Sequence, residues 1–196
     1  MILPIVAYGD PVLKKKAAPI TEDYPKLPEL IENMFETMYG ANGLGLAAPQ
    51  VGLSIRMFLV DTSPFANDKE FTDEERAMYK DFKKVFINAE IIKREGDEWP
   101  FNEGCLSIPG ITEDVFREST ITMRYQDENF KEYTETFDGI IARVIQHEYD
   151  HIEGILFVDK LSSLKKRILK GRLTNISKGK CDADYRMRFP AVSKKR

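Results

Sequence analysis

Apolar positions early in the chain recur at helical spacing. Leu27, Leu30, Ile31, Met34, Phe35 and Met38 fall on one face and predict a helix over residues 25–39. Pro28 suits its first turn and Gly40 its end. The period then changes: residues 55–60 form a short apolar run of strand length, and residues 85–92 read as another strand. Between them, residues 61–83 are polar and acidic and read as a surface insertion holding a short helix. Residues 120–125 and 130–137 flank Gln126-Asp127-Glu128-Asn129 as the two arms of a hairpin. A second helix opens at Asp138, a good N-cap residue, and runs to Ile152 before Gly154. A third, basic on its outer face, covers residues 161–170. Strands fill the middle and one apolar helix follows them. The fold class expected is therefore α+β, with antiparallel or mixed sheets surrounding that helix.

Composition narrows the class. A chain of 196 residues that is 42% hydrophobic fits a single domain with a sizeable core, here residues 1–171. Residues 172–196 hold eight Lys/Arg against two Asp, a +6 tail on a chain of net charge −3. That tail reads as a solvated, partly mobile terminus, or as a contact for an anionic partner such as ribosomal RNA. The overall negative charge argues against specific DNA binding. No apolar run reaches membrane-spanning length, and the start lacks the features of a secretory signal. Two well-separated cysteines make a poor disulfide framework. A cytoplasmic location is expected.

The chemistry concentrates on the second helix, in His147-Glu148-Tyr149-Asp150-His151. Residues four apart share a helix face, so both imidazoles can reach one metal ion, with Glu148 rotated to stand beside it. The His-Glu-x-x-His pattern is a known metallopeptidase signature. Two buried histidines side by side would otherwise need separate hydrogen-bond partners, and one divalent ion satisfies both. Catalytic centres of this kind usually have three protein ligands, and the chain has no third histidine. A carboxylate or a cysteine must complete the set. Cys105, in Asn102-Glu103-Gly104-Cys105-Leu106-Ser107, is the candidate, and Cys181 reads as an ordinary free thiol.

Three segments in order carry a resemblance: Gly43-x-Gly45-Leu46-Ala47-Ala48-Pro49-Gln50, Glu103-Gly104-Cys105-Leu106-Ser107 and Gln146-His147-Glu148-x-Asp150-His151. Together they resemble the motifs of bacterial peptide deformylase, a family that removes the formyl group from the initiator methionine of nascent polypeptides. The resemblance implies Cys105, His147 and His151 as ligands of one divalent ion, Fe²⁺ first, with Zn²⁺, Ni²⁺ or Co²⁺ as substitutes. It implies Glu148 as general acid/base to a metal-bound water. Gln50 and the Leu106 N–H would stabilise the oxyanion, and the Gly45 backbone would hydrogen-bond the substrate. Leu44, Gly104, Ile140 and Val144 would line the methionine pocket. Thr112 stands where relatives often carry Arg, so Arg143, four residues before His147, is the candidate cation for the peptide. Removing residues 179–196 is expected to leave turnover of a short formylated peptide intact. Other readings stay open here: a broader His-Glu-x-x-His peptidase, a hydrolase using Cys105 as nucleophile, and a ribosome-docking module with a structural Cys-His-His site.

Overall fold

The computed structural model describes residues 1–190, in which a five-stranded antiparallel sheet carries one buried helix. Strand β1 (Ile5–Val6) leads to helix α1 (Leu27–Gly40), which has Pro28 in its first turn and buries Leu27, Met34, Thr37 and Met38. Next come strand β2 (Gly45–Ala47), a 3-10 turn at Ala48–Val51 and strand β3 (Met57–Asp61). Both strands are buried throughout. The insertion does hold a short helix, α2 (Asp73–Lys80). Thr72 Oγ1 accepts from the Glu75 N–H at 3.2 Å and Glu75 Oε2 accepts from the Thr72 N–H at 2.8 Å, a reciprocal cap. Phe65, Phe71 and Tyr79 pack edge-on at 5.1–6.0 Å between ring centroids and tie the insertion to the core.

The largest departure from the sequence pattern is the pair of long strands β4 (Lys83–Cys105) and β5 (Ile108–Gln126). The strand expected at 85–92 continues to Cys105, because the polar stretch from Lys93 to Gly104 pairs in register with residues 112–122 of β5. Pairing with a partner strand holds this region extended although its side chains carry no alternating apolar signal. Register shifts after Ile87, Ile91 and Glu95 bend the ladder. Strand β6 (Glu132–Asp138) completes the hairpin expected around residues 126–129. The sheet order is β2-β3-β4-β5-β6.

Helix α3 (Gly139–Ile152) begins where β6 ends. Asp138 occupies the N-cap position in extended conformation, but its carboxylate makes no capping bond. The helix buries Ile140, Ile141, Ala142, Ile145 and Ile152, and packs against β2, β3, β5 and β6. Gly154, at φ +75°, ends it; a Cβ there would lie 2.8 Å from the Lys14 carbonyl carbon.

Helix α4 (Ser163–Ser177) starts after Ser162, whose hydroxyl accepts from the Lys165 N–H at 3.3 Å. It runs past Lys170 and across the domain boundary expected at residue 171. Strand β7 (Met187–Arg188) then pairs in parallel with β1. Residues 172–190 are thus not a loose tail: buried Leu173 and Ile176 and the β1–β7 pairing dock them on the body of the protein. Lys194, Lys195 and Arg196 lie outside the described residues. Among the described residues no helix is long and apolar enough to cross a membrane.

Candidate active site

Helical spacing sets His147 and His151 one turn apart on α3, with ring centroids 5.1 Å apart and planes at 75°. Cys105 comes from the end of β4. There Phe101, Glu103 and Cys105 point inward, alternating with exposed Asn102 and Gly104. Between Gly104 and Cys105 the register jumps, since Gly104 opposes Thr112 but Cys105 opposes Ile108. This bulge breaks the regular ladder just where the cysteine must face α3. Cys105 and one ring nitrogen of each histidine all lie within 4.8 Å of one another. Cys105 Sγ is 3.4 Å from His151 Nε2.

A buried charge network braces this trio. Glu103 accepts hydrogen bonds from Arg117 Nε at 2.7 Å and Nη2 at 2.9 Å, and from Arg143 Nη1 at 3.0 Å. Arg117 Nη1 also donates to Asp150 Oδ2 at 2.6 Å. Glu103 Oε2 lies 3.0 Å from His147 Nδ1, which makes Nδ1 the protonated nitrogen and frees Nε2 for a ligand. Burial alone would raise the Glu103 carboxyl, but hydrogen bonds from Arg117 and His147 hold it well below the usual carboxylate range. His151 is pushed well down, by burial first, so its imidazole is neutral.

Glu148 is buried beside the trio, and its Oε2 has no hydrogen-bond partner in the protein. Burial pushes its pKa up to about 7. A Cβ placed on Gly45 would lie 2.6 Å from Glu148 Cγ, so the glycine makes room for the carboxylate. Gln50 is also buried; the Ala47 N–H donates to its Oε1 at 2.8 Å, which leaves Nε2 facing Cys105 Sγ at 3.6 Å. Gly45, Gln50, Glu103, Cys105, His147 and Glu148 border a cavity of about 590 Å³, a size suited to a small ligand or a short peptide segment.

Leu44, Gly45, Gly104, Leu106 and Val144 line that cavity. Ile140 does not: it is packed in the core with Phe86 and Phe137. Arg143 borders the cavity but is only 2% exposed, with Nη1 on Glu103 and the Val115 carbonyl and Nη2 on the Trp99 carbonyl at 2.6 Å. It is a buried counterion of Glu103, not an exposed cation presented to a peptide.

The donor set fits a divalent transition metal: one thiol sulfur and two imidazoles suit iron or zinc better than magnesium or calcium. Three protein ligands would leave such an ion one position for water, and the buried Glu148 carboxylate borders the same cavity. The family model for polypeptide deformylase matches residues 2–167. The chain belongs to the polypeptide deformylase family. Membership makes it an enzyme, a metal-dependent hydrolase. Peptide deformylases of Christiangramia forsetii and Flavobacterium johnsoniae are 64% and 61% identical to it over 196 residues, covering 100% of each chain. Among solved deformylases, that of Legionella pneumophila superposes with a TM-score of 0.76 at 37% identity, covering 91% of this chain and 96% of that one. The Thermus thermophilus enzyme gives 0.77 at 40% identity, covering 91% and 99%.

Sequence reasoning missed Arg117, and cast Glu103 and Asp150 only as parts of motifs. The period of two along β4 is a signal for Glu103, which lies two residues from Cys105. Arg117 stands opposite Trp99 in the β4–β5 ladder and reaches Glu103 along the same face, a relation the side-chain pattern does not reveal.

Proposed function

We propose that the chain removes the formyl group from the N-terminal methionine of nascent polypeptides and releases formate. What supports this most directly is the Cys105–His147–His151 trio within 4.8 Å, of which Cys105 and His147 border the same cleft as a buried carboxylate with a free oxygen. Held by those three side chains, Fe²⁺ (or Zn²⁺, Ni²⁺ or Co²⁺ in its place) would supply a nucleophilic water of lowered pKa and polarise the formyl oxygen. Glu148 takes the proton of the attacking water and delivers one to the leaving amine. Gln50 Nε2 and the Leu106 N–H donate to the negative charge that develops on the formyl oxygen. Gln50 suits this task because its carboxamide is already oriented by Ala47. Strand β2 is the edge of the sheet, so the Gly45 backbone can pair with an extended peptide. Leu44, Gly104 and Val144 form the walls for the methionine side chain. The reading puts the chain in the cytoplasm, with the basic C-terminal segment, Arg172, Lys178, Lys180, Arg186 and Arg188 among the described residues, as its contact for the ribosome.

The deciding experiment measures formate released from a formyl-methionyl peptide by anaerobically purified protein, with elemental analysis of the same sample. A chelator should abolish turnover, whereas a Cys105 nucleophile would survive it. Activity that falls on exposure to air or peroxide identifies a thiolate-bound ferrous centre. Cys105→Ser should weaken metal binding by more than the roughly 10–100-fold that outer-shell partners contribute, and lower turnover with it. Unchanged metal content in that variant removes Cys105 from the ligand set. Gly45→Ala forces a Cβ against Glu148. It should lower kcat by about a hundredfold through displacement of the carboxylate, with metal content intact; parent-like kcat would mean Glu148 tolerates the shift.

A further inference from the structure

Leu106 and Ser107 form the tight turn that joins β4 to β5, and the two chain ends grip that turn from outside the sheet. Tyr185 Oη donates to the Leu106 carbonyl at 2.8 Å. The Tyr8 N–H donates to the Ser107 carbonyl at 2.8 Å. These two residues flank the β1–β7 pair, which is itself closed by Ile5 N–H to Arg186 O and Ala7 N–H to Arg188 O, each at 2.9 Å. Tyr185 packs with Leu106 on one apolar cluster and borders the same cavity as Cys105 and Glu148. Among the described residues no backbone acceptor takes the Leu106 N–H.

Peptide planes in such a turn rotate unless their carbonyls are held. The register jump beside Cys105 removes ladder bonds that would otherwise fix them. Anchoring the Leu106 carbonyl fixes the rotation between Leu106 and Ser107. The Leu106 N–H belongs to the preceding Cys105–Leu106 plane, which the Cys105–Ile108 pairing holds, so with the carbonyl anchored both planes flanking Leu106 are fixed.

We infer that Tyr185 is a positioning residue for the reaction: its hydroxyl holds the Leu106 carbonyl and so aims the Leu106 N–H at the oxyanion. This rests on the deformylase reading of the cleft. Tyr185 lies beyond residues 2–167, the part matched by the family model, so the device is carried by this chain's C-terminal segment. It also reverses the expectation that residues 179–196 are dispensable for turnover, since their removal takes the hydroxyl away.

The test is Tyr185→Phe in the full chain, which keeps the ring and deletes only the donor. On a formyl-methionyl tripeptide kcat should fall about tenfold, a fraction of what loss of an oxyanion donor itself costs. KM should stay within about twofold, as for an interaction that acts mainly in the transition state. Metal per chain and thermal midpoint should match the parent. Tyr185→Leu, which removes the ring as well, should lose a similar amount of kcat. A parent-like kcat in Tyr185→Phe overturns the inference, as does a loss confined to KM or to metal content. If the parent chain itself, fully metal-loaded, releases no formate, the deformylase reading fails and the inference with it.

Discussion

Replacing Glu148 with Ala is expected to lower formate release about a thousandfold while the protein retains its metal, the middle of the range for loss of a general acid/base. Glu148 touches neither Cys105 nor the ring nitrogens of His147 and His151 by any hydrogen bond, so the metal should not depend on it. Its Oε2 is sealed from solvent without a protein partner, and such a group is costly unless something it binds completes it. Water and then the leaving amine fill that role in the proposed reaction. Burial puts its pKa at about 7, and a cation alongside shifts it downward, so the carboxylate form is available near neutrality. Glu148→Gln separates charge from shape. The amide fits the space left by Gly45 but cannot take a proton, so it should be nearly as inactive as the alanine variant. Steady-state kinetics with metal analysis checks both. Turnover within tenfold of the parent in either variant would place the proton carrier elsewhere.

The parts of this site that sequence pattern reveals are those whose spacing is local. His147 and His151 are one helical turn apart, and α3 forms where periodicity predicts it, because its apolar face and its ending at Gly154 are both written in neighbouring residues. Cys105 emerges by elimination, as a ligand set needs a third member. What stays hidden depends on pairing across the sheet. Lys93 to Asn102 is polar enough to pass for a loop, yet β5 holds it extended, and that extension carries Glu103 and Cys105 to α3. Arg143 shows the consequence. Helical spacing places it correctly on the histidine face, but its partner is a carboxylate on a strand that the pattern does not predict. A surface or substrate-binding cation therefore turns out to be a buried counterion. The order of the C-terminal segment is hidden for a similar reason. Its docking depends on Leu173, Ile176, Tyr185 and a two-residue strand, signals too sparse to outweigh a run of basic residues.

Glu103→Ala is expected to damage stability and metal binding together. Glu103 is the shared acceptor of Arg117, Arg143 and His147, all within 2.7–3.0 Å. Without it two guanidinium groups remain in the interior, with Asp150 the carboxylate left to Arg117 alone, and Asp150 also serves Lys160 at 3.3 Å. Breaking a buried ionic network by removing one partner costs about 3–5 kcal/mol, which in a domain of this size lowers the thermal midpoint by roughly 10 °C. His147 at the same time loses the acceptor that fixes its Nδ1–H, so metal affinity should fall about 10–100-fold. The double variant Glu103→Leu/Arg117→Met tells these effects apart. It removes a charge of each sign, so it should regain part of the lost stability while its metal affinity stays low. If stability is not regained, the penalty lies with Arg143 and Asp150, which lose Glu103 and Arg117, and not with the Glu103–Arg117 pair. The acid limb of the stability profile supplies an independent check. A carboxyl whose pKa is depressed on folding stabilises the protein fully above its unfolded value, near 4.3 for Glu, and that contribution disappears as pH falls through the folded value. Chemical denaturation between about pH 3 and pH 6 should therefore show the parent losing more stability than either variant, because only the parent has this proton to take up.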